Sequence, residues 1–376
     1  MTTVHTTSKM MALLALGQSV WLDYLRRDMI QSGELAARVA EGLRGMTSNP
    51  SIFESAIGGS KDYDAALQGP DMRGKSDMDA FETIAVEDVR MAADVFRTVY
   101  DSTDGADGFV SIEVSPRLAR DTQRSLDEAR RLWREVGRPN VMIKIPGTRE
   151  GWPAIEQALE EGININITLL FSVEHYKAVA EAYLNAMEAR IAAGAPVNRV
   201  ASVASFFVSR VDSEVDKRLE TIGSPAAASL LGQAAIANAK LAYELFGELF
   251  SGPRWTKIRD AGARVQRPLW ASTSTKNPRY GDVRYIEGLI GPETINTVPP
   301  ETLHLFEEHG VVRRTLVPNA DDGRALLEQV AEAGVDFDDV TKTLEDEGIE
   351  KFEVSYRKLL GVISGKRHAL GVAARA

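Results

Sequence analysis

Eight short apolar segments recur along the chain, and amphipathic helical patterns separate most of them. Short apolar runs bounded by Gly, Pro, Ser or Asn predict strands, and longer runs with a helical period predict the connecting helices. The predicted strands are Ser19–Tyr24, Leu43–Ser48, Gly108–Val114, Asn140–Ile145, Gly162–Thr168, Arg199–Phe206, Pro268–Thr273 and Thr294–Val298. The predicted helices are Leu35–Gly42, Asp79–Tyr100, Pro116–Val136, Pro153–Glu161 and Ser172–Ala193, with two or more between Val211 and Gly262.

This alternation predicts a (β/α)8 TIM barrel whose active site lies at the C-terminal ends of the strands. A doubly wound open sheet is the alternative, but it usually has fewer strands and often a glycine-rich first turn, which this chain lacks. The Ser115–Pro116 pair is typical of a capped helix start. Further helices follow the last strand, and the amphipathic stretch "KFEVSYRKLLGVI" predicts a C-terminal segment that packs over the barrel. We expect residues 1–376 to form one domain.

Composition excludes several classes of protein. The net charge is −10 and no run of Lys and Arg occurs, which argues against nucleic-acid or membrane-surface partners. The chain has no cysteine, so disulfides and thiolate metal sites are excluded, and its histidines lack zinc-ligand spacing. The start "MTTVHTTSKMMALLALG" is too polar for a signal peptide, and no apolar run is long enough to span a membrane. We therefore predict a cytoplasmic protein without a metal.

A lysine stands inside the apolar strand "NVMIKIPGT". Successive strand residues face opposite sides, so Val141, Ile143 and Ile145 face the helices and Lys144 faces the barrel interior. Pro146 places Lys144 near the C-terminal end of its strand. The side chain either extends to solvent at the barrel mouth or stays buried, where apolar surroundings disfavour the charged form. A neutral amine is a nucleophile for ketones and aldehydes.

Other polar residues share the inward face of neighbouring strands. In "GININIT" the isoleucines face the helices, so Asn164, Asn166 and Thr168 point into the barrel, toward either a polar ligand or a network with water. Glu113 points inward near the end of its strand, and Asp23 lies near the end of the first strand. Acids at strand ends also serve as helix caps or ion-pair partners.

Together these residues form a set that suits Schiff-base chemistry. That chemistry needs an amine, carboxylates that move protons, and hydroxyl or amide groups that hold a water and a polyol. Members of this set come from four different predicted strands: Asp23, Glu113, Lys144, Asn166 and Thr168.

At these positions the sequence resembles the transaldolases, which are (β/α)8-barrel enzymes of the pentose phosphate pathway. The resemblance spans residues 20 to 278 and rests on segments in the family's order. These are "VWLDYLRRD", "TSNPSIF", "SIEVSPRLA", "VMIKIPGT", "GININITLLFS", "ASVASFFVSRVD" and "LWASTSTKNP". The remaining segments have compatible lengths, so the resemblance covers essentially the whole chain.

The resemblance implies a role for each catalytic residue. Lys144 would form the Schiff base with the donor ketose, and Asp23 would move the proton of the C4 hydroxyl. Glu113 and Thr168 would hold a water that carries protons during loss and addition of water. The iminium serves as the electron sink, so the resemblance implies no cofactor.

The resemblance also implies the substrate-binding residues. Asn49 and Asn166 would bind hydroxyls of the dihydroxyacetone unit, and Thr47 would support its strand end. Ser205 would contact the terminal hydroxyl of the donor. Arg210 would bind the sugar phosphate through its planar donors.

One departure concerns the phosphate site. Many transaldolases carry a second arginine two residues after the serine of the seventh strand. Here Ser272 matches that serine, but Ser274 stands in the place of the arginine. Lys276 is the candidate that supplies the second charge. This departure is typical of a longer subfamily.

The implied reaction transfers a dihydroxyacetone unit from sedoheptulose 7-phosphate to glyceraldehyde 3-phosphate, giving erythrose 4-phosphate and fructose 6-phosphate. Two alternatives stay open: an aldolase that releases dihydroxyacetone, and a non-catalytic barrel that binds sugar phosphates. Related fructose 6-phosphate aldolases are shorter and place a tyrosine two residues after Ser205, where this chain has Phe207. The expected partners are sugar phosphates, and the chain is expected to be a monomer or homodimer.

Overall fold

The computed structural model describes residues 8–372. Eight parallel strands form a closed barrel in sequence order, with the last strand paired to the first. The predicted (β/α)8 fold is therefore confirmed, and the open-sheet alternative is wrong. The strands are β1 (Gln18–Asp23), β2 (Gly45–Thr47), β3 (Phe109–Glu113), β4 (Val141–Pro146), β5 (Ile165–Leu170), β6 (Ser202–Phe207), β7 (Arg267–Ala271) and β8 (Thr294–Val298).

Helices surround the barrel and continue beyond it. They are α1 (Lys9–Ala15), α2 (Arg27–Gln31), α3 (Glu34–Glu41), α4 (Pro50–Gly58), α5 (Asp64–Leu67), α6 (Asp77–Ser102), α7 (Thr122–Val136), α8 (Gly151–Glu160), α9 (Val173–Ala192), α10 (Ser209–Ile222), α11 (Pro225–Ser229), α12 (Ala234–Leu249), α13 (Gly252–Asp260), α14 (Arg284–Glu287), α15 (Pro300–His309), α16 (Asp321–Glu332) and α17 (Phe337–Ala369). Two short 3-10 turns cover Pro70–Met72 and Pro116–Leu118.

The long helix predicted for Pro116–Val136 does not begin at the Ser115–Pro116 pair. Pro116 opens a single 3-10 turn, and the Ser115 side chain makes no capping hydrogen bond. The long helix α7 begins later, where the Asp121 side chain accepts a hydrogen bond from the backbone amide of Arg124. A proline suits the first position of either helix type, so the dipeptide alone did not distinguish a turn from a helix.

The N-terminal half of the barrel interior is filled by Trp21. Its ring is fully buried, packs against Phe109 at 6.3 Å between centroids, and donates from Nε1 to Asp107 Oδ1 at 2.8 Å. Gly45 lies beside Trp21 in the β1–β2 pairing. A β-carbon at Gly45 would lie 2.6 Å from the indole ring. The bulky ring therefore requires a glycine on the neighbouring strand.

This contact makes Gly45→Ala a sensitive test of the barrel packing. We expect the substitution to lower the free energy of unfolding by about 1–3 kcal/mol, as overpacked cores do. The matched control is Gly247→Ala in α12, where an added β-carbon meets no atom within 4 Å. In the control, alanine should raise stability by about 0.5–1 kcal/mol. Urea unfolding followed by circular dichroism measures both, and equal stability of the two variants would contradict the packing argument.

The C-terminal helix α17 lies over the mouth of the barrel, as predicted. Gly348 approaches β5 so closely that a β-carbon there would lie 3.0 Å from the Leu169 side chain. Near its other end, the buried Arg367 bonds to Asp77 at 2.6 Å and to the carbonyls of Met72 and Lys75. The segment between α4 and α6 and the start of α6 therefore anchor the end of α17.

Within residues 8–372, no helix combines the length and apolar character needed to cross a membrane. The first seven residues of the polar N-terminal stretch lie outside the described residues. The prediction that residues 1–376 form one domain stays a prediction.

Candidate functional site

A cavity of about 180 Å³ opens at the C-terminal ends of the strands. Parallel strands present these ends on one side of the barrel, where active sites of this fold lie. Nine of the eleven predicted site residues line the cavity, and Glu113 and Asn166 lie beside it. The nine are Asp23, Thr47, Asn49, Lys144, Thr168, Ser205, Arg210, Ser272 and Lys276.

Lys144 is held inside the barrel. The residue is only 5% exposed, and its β4 neighbours Ile143 and Ile145 are fully buried. The Nζ atom lies 3.4 Å from the Ser48 carbonyl oxygen and 5.9 Å from the centre of the Phe352 ring. The side chain therefore does not extend to solvent, and its amine faces the cavity.

Glu113 ends β3 and pairs in register with Lys144 on β4. Its Oε2 lies 3.5 Å from the Lys144 Nζ, an ion-pair distance, but the two groups are not aligned for a hydrogen bond. Within residues 8–372 neither carboxyl oxygen has a hydrogen-bond partner. Burial raises the pKa of Glu113 to about 7, although the charge of Lys144 opposes this shift. The carboxyl group can therefore both donate and accept a proton near neutral pH.

A small void of about 30 Å³ adjoins Glu113 and is lined also by Ser48 and Asn49. A space of this size holds about one water molecule. Thr168 lines the main cavity instead, on the other strand next to Lys144. Glu113 and Thr168 thus flank the strand that carries the lysine.

Asp23 ends β1 at the edge of the cavity. Its Oδ1 accepts a hydrogen bond from the Thr47 hydroxyl at 2.7 Å, and Thr297 lies 2.7 Å from that same hydroxyl. Burial raises the pKa of Asp23, while the charge of Lys144 and the Thr47 hydrogen bond oppose the shift. This arrangement orients the carboxyl group and gives it a stronger affinity for protons than a solvated aspartate has.

Thr168 lies at an irregular point of the barrel. The pairing of β5 with β6 shifts register between Ile167 and Leu170, and Leu169 has a φ of 61°. Left-handed backbone at a residue other than glycine is strained and clusters at functional sites. Among the described residues, none bonds to the buried Thr168 hydroxyl, so it can bond to a ligand or water in the cavity.

Asn166 belongs to a polar network below the cavity. It is fully buried, donates to the Ser111 hydroxyl at 3.0 Å and accepts from the Ser205 hydroxyl at 2.7 Å. Asn164 lies at the opposite end of β5 and bonds only to backbone groups, including the carbonyls of Pro139 and Val141. Asn166 thus belongs to a side-chain network while Asn164 bonds to the backbone, and a substrate contact of Asn166 stays a prediction.

Two cations from different elements face the cavity. Arg210, in the first turn of α10, stacks over Phe207 at 5.3 Å, and its Nη1 is buried without a partner in the described part of the chain. Lys276 lies in the loop after β7 and donates to the Ser274 hydroxyl at 2.6 Å. Burial lowers the pKa of Lys276, and the charge of Arg210 lowers it further. The pair forms an electropositive side suited to a phosphate.

Ser272 follows β7 and contacts the start of α10, the helix that carries Arg210. It has a φ of 56°, and its hydroxyl lies 3.0 Å from that of Ser209. Asn49 caps α4 by accepting a hydrogen bond from the Ile52 amide at 3.0 Å. The cap occupies its carbonyl oxygen and leaves its amide nitrogen as a donor for a ligand.

Sequence reasoning missed several residues that form the cavity wall. Phe352 on α17 closes the cavity above Lys144, while Thr297 of β8 and Pro299 just after that strand also line the cavity. The amphipathic pattern of α17 identified the apolar face to which Phe352 belongs. That pattern did not identify what the face covers.

Comparison with known proteins settles which family combines this barrel with these residues. A family model described as Transaldolase/Fructose-6-phosphate aldolase matches residues 20–363. The chain belongs to the transaldolase/fructose-6-phosphate aldolase family. The prediction that the chain is an enzyme of the transaldolase type is thereby confirmed.

Relatives named Transaldolase align along nearly the whole chain. One from a Parafrankia species is 50% identical over 96% of this chain and 98% of its own length. Another from Acidothermus cellulolyticus is 49% identical over 95% of this chain and 96% of its own. A third from Thermobifida fusca is 50% identical over 92% of this chain and 94% of its own. The transaldolase likeness therefore includes the C-terminal helix region as well as the barrel.

Proposed function

We propose that the chain transfers a dihydroxyacetone unit between sugar phosphates of the pentose phosphate pathway through a Schiff base on Lys144. The observation that carries this proposal is the buried pair of Lys144 and Glu113, 3.5 Å apart, with Lys144 lining the cavity and Glu113 beside it. The Lys144 amine is the nucleophile, and the protonated Glu113 carboxyl group is the acid that a departing hydroxyl needs. The pKa of about 7 for Glu113 supports this role, because a fraction of the carboxyl groups stays protonated near neutral pH.

The first half of the reaction consumes the donor ketose. The Lys144 amine adds to C2, and the resulting carbinolamine loses its hydroxyl as water after receiving a proton from Glu113, directly or through water. Asp23 then takes the proton from the C4 hydroxyl. The C3–C4 bond breaks, its electrons move into the iminium, and an aldose phosphate leaves an enamine on Lys144.

The second half reverses these steps with another aldose. The enamine carbon attacks the acceptor aldehyde, and Asp23 returns its proton to the new C4 oxygen. Water adds to the iminium and releases the product ketose and the Lys144 amine. Phe207 and Phe352 form apolar parts of the cavity wall, which supports transfer because they limit the access of water to the enamine.

Polar and charged residues of the cavity wall hold the substrate. The Asn49 amide and the Ser205 hydroxyl bind hydroxyls of the three-carbon unit, and Arg210 and Lys276 bind the phosphate. Thr47 orients Asp23, and Thr168 holds a substrate hydroxyl or water. The presence of hydroxyl and amide groups together with two cations in one cavity supports a phosphorylated polyol.

A coupled assay tests the proposed reaction. Incubation with fructose 6-phosphate and erythrose 4-phosphate should form sedoheptulose 7-phosphate faster than free dihydroxyacetone. Release of dihydroxyacetone as the main product would instead support the aldolase reaction. Binding of both sugars without either product would support a non-catalytic barrel.

Replacing Lys276 with alanine should raise the KM for fructose 6-phosphate about 10-fold, because a charged hydrogen bond to phosphate is lost. The effect on kcat should be smaller, since Lys276 lies away from the reacting carbons. Lys177→Ala on the exposed face of α9 is the control and should leave the KM unchanged. Steady-state kinetics with both variants measure this, and an unchanged KM in Lys276→Ala would remove Lys276 from the phosphate site.

We also propose a cytosolic location, which the absence of cysteine and the sugar-phosphate substrates support. The prediction of a monomer or homodimer stays a prediction, as does the expectation that no metal, cofactor or nucleic acid takes part.

A further inference from the structure

The loop that carries Lys276 has little regular structure of its own. It runs from the end of β7 to α14, and its internal hydrogen bonds include one from the Thr275 hydroxyl to the Gly281 carbonyl at 2.8 Å. Lys276 itself bonds to Ser274, two residues away in the same loop. The position of the ammonium group beside Arg210 must therefore be set by what holds the loop.

Helix α10 holds the loop and the α14 helix that follows it through three acids spaced four residues apart. Side chains at this spacing lie on one face of a helix. Asp212 accepts from the Tyr285 hydroxyl at 2.8 Å, and Asp216 accepts from the Tyr280 hydroxyl at 2.6 Å. We call Asp212, Asp216 and Glu220 the acidic ladder, whose third member pairs with Arg279 at 2.5 Å.

The first two acids of the ladder are buried, and they contact the segment that precedes α12. Asp212 and Asp216 are 1% and 6% exposed. Asp216 also accepts from the Gly232 amide at 2.7 Å, and a β-carbon on Gly232 would lie 2.5 Å from the Tyr280 ring. Arg284 stacks on Tyr280 at 4.7 Å. The Tyr280 ring is therefore tightly packed between α10 and the segment before α12.

Arg210 lies in the first turn of the same helix, so α10 contacts the Lys276 loop and also carries the other cation of the cavity. We propose that the acidic ladder is a positioning device that sets Lys276 beside Arg210, and that Asp216 and Tyr280 thereby determine the preference for phosphorylated substrates. The inference rests on the proposed phosphate site. Tyr280 and Asp216 act through Lys276 and do not themselves line the cavity.

Tyr280→Phe tests the proposal because it removes only the hydroxyl and keeps the ring between Gly232 and Arg284. We expect kcat/KM for fructose 6-phosphate to fall about 5- to 10-fold, the effect of one lost hydrogen bond to a charged acceptor. For fructose, which lacks the phosphate, kcat/KM should stay unchanged. Equal losses for both sugars would indicate a merely structural role and overturn the proposal.

A double mutant tests whether Tyr280 acts through Lys276. If Tyr280 acts through Lys276, adding Tyr280→Phe to Lys276→Ala should produce no further loss for fructose 6-phosphate. Additive losses would overturn the proposal. Tyr183→Phe is the matched control, because its buried hydroxyl donates to the Arg264 carbonyl at the other end of the barrel. This control should leave the preference between the two sugars unchanged.

Calorimetric titration with inorganic phosphate separates this inference from the proposed reaction. Tyr280→Phe and Asp216→Asn should each weaken phosphate binding about 5-fold, whether or not the wild type transfers dihydroxyacetone. If phosphate affinity is unchanged in both variants but weaker in Lys276→Ala, the proposed role of the acidic ladder is overturned. The phosphate site itself would then stand. Failure of transfer in the wild type would reject the proposed reaction alone.

Discussion

Replacing Lys144 with methionine will lower kcat for dihydroxyacetone transfer by about 10⁴-fold or more, because the covalent route needs the amine. Methionine keeps the unbranched shape and removes the only nucleophile in the Lys144–Glu113 pair. The fold should survive, since the pKa of Glu113 is already raised by burial and its carboxyl group becomes neutral once the ammonium is gone. Steady-state kinetics and thermal unfolding measure the two effects.

Two further variants test whether the loss of activity is caused by loss of the Lys144 amine. Lys144→Arg keeps a cation beside Glu113 but lacks a nucleophilic amine, so it should be as inactive as the methionine variant. Lys177→Met makes the same chemical change on the exposed face of α9 and should retain full activity. Activity above about 1% of wild type in either Lys144 variant would exceed what loss of the covalent route permits and contradict the Schiff-base account.

Replacing Glu113 with glutamine should lower kcat by about 100-fold or more, the usual contribution of a general acid–base group. In the proposed mechanism Glu113 protonates the departing carbinolamine hydroxyl, so the protonated form of Glu113 should be the active one. Because burial raises the pKa of Glu113 to about 7, wild-type kcat should fall as the pH rises through about 7. The residual activity of Glu113→Gln should lack this alkaline decline.

The acid side of the same profile depends on Asp23. That carboxyl group accepts the C4 proton only when ionised, and burial raises its pKa above the ordinary value. Wild-type activity should therefore rise with pH on the acid side and fall through about 7, giving a bell-shaped profile. Glu161→Gln, at a surface ion pair with Arg130, is the control and should keep the wild-type profile. If the alkaline decline persists in Glu113→Gln, a group other than Glu113 causes the decline.

Alternation along the strands was enough to predict the chemical centre. Strand side chains have a period of two, so Lys144 and Glu113 could be assigned to the interior without knowledge of the fold. Register brought them opposite each other on β3 and β4. Residues of the proposed phosphate site, such as Arg210 and Lys276, follow strand ends in loops and helices, where no period applies, so their prediction depended on family resemblance.

The remaining parts of the site depend on contacts that are distant in sequence. Phe352 reaches Lys144 across more than half the chain, and the amphipathic pattern of α17 reveals only that it has an apolar face. The acids of α10 look in sequence like a solvated helix face. Their burial against Tyr280 and Tyr285 appears only when the loop after β7 is placed.

Trapping with borohydride tests the Schiff base on Lys144 most directly. The wild type is incubated with fructose 6-phosphate, reduced and digested, and the modified peptide is identified by mass spectrometry. The proposed mechanism predicts a reduced dihydroxyacetone adduct on Lys144, formed only with the ketose present and missing in Lys144→Met. No adduct, or an adduct on a different lysine, would contradict it.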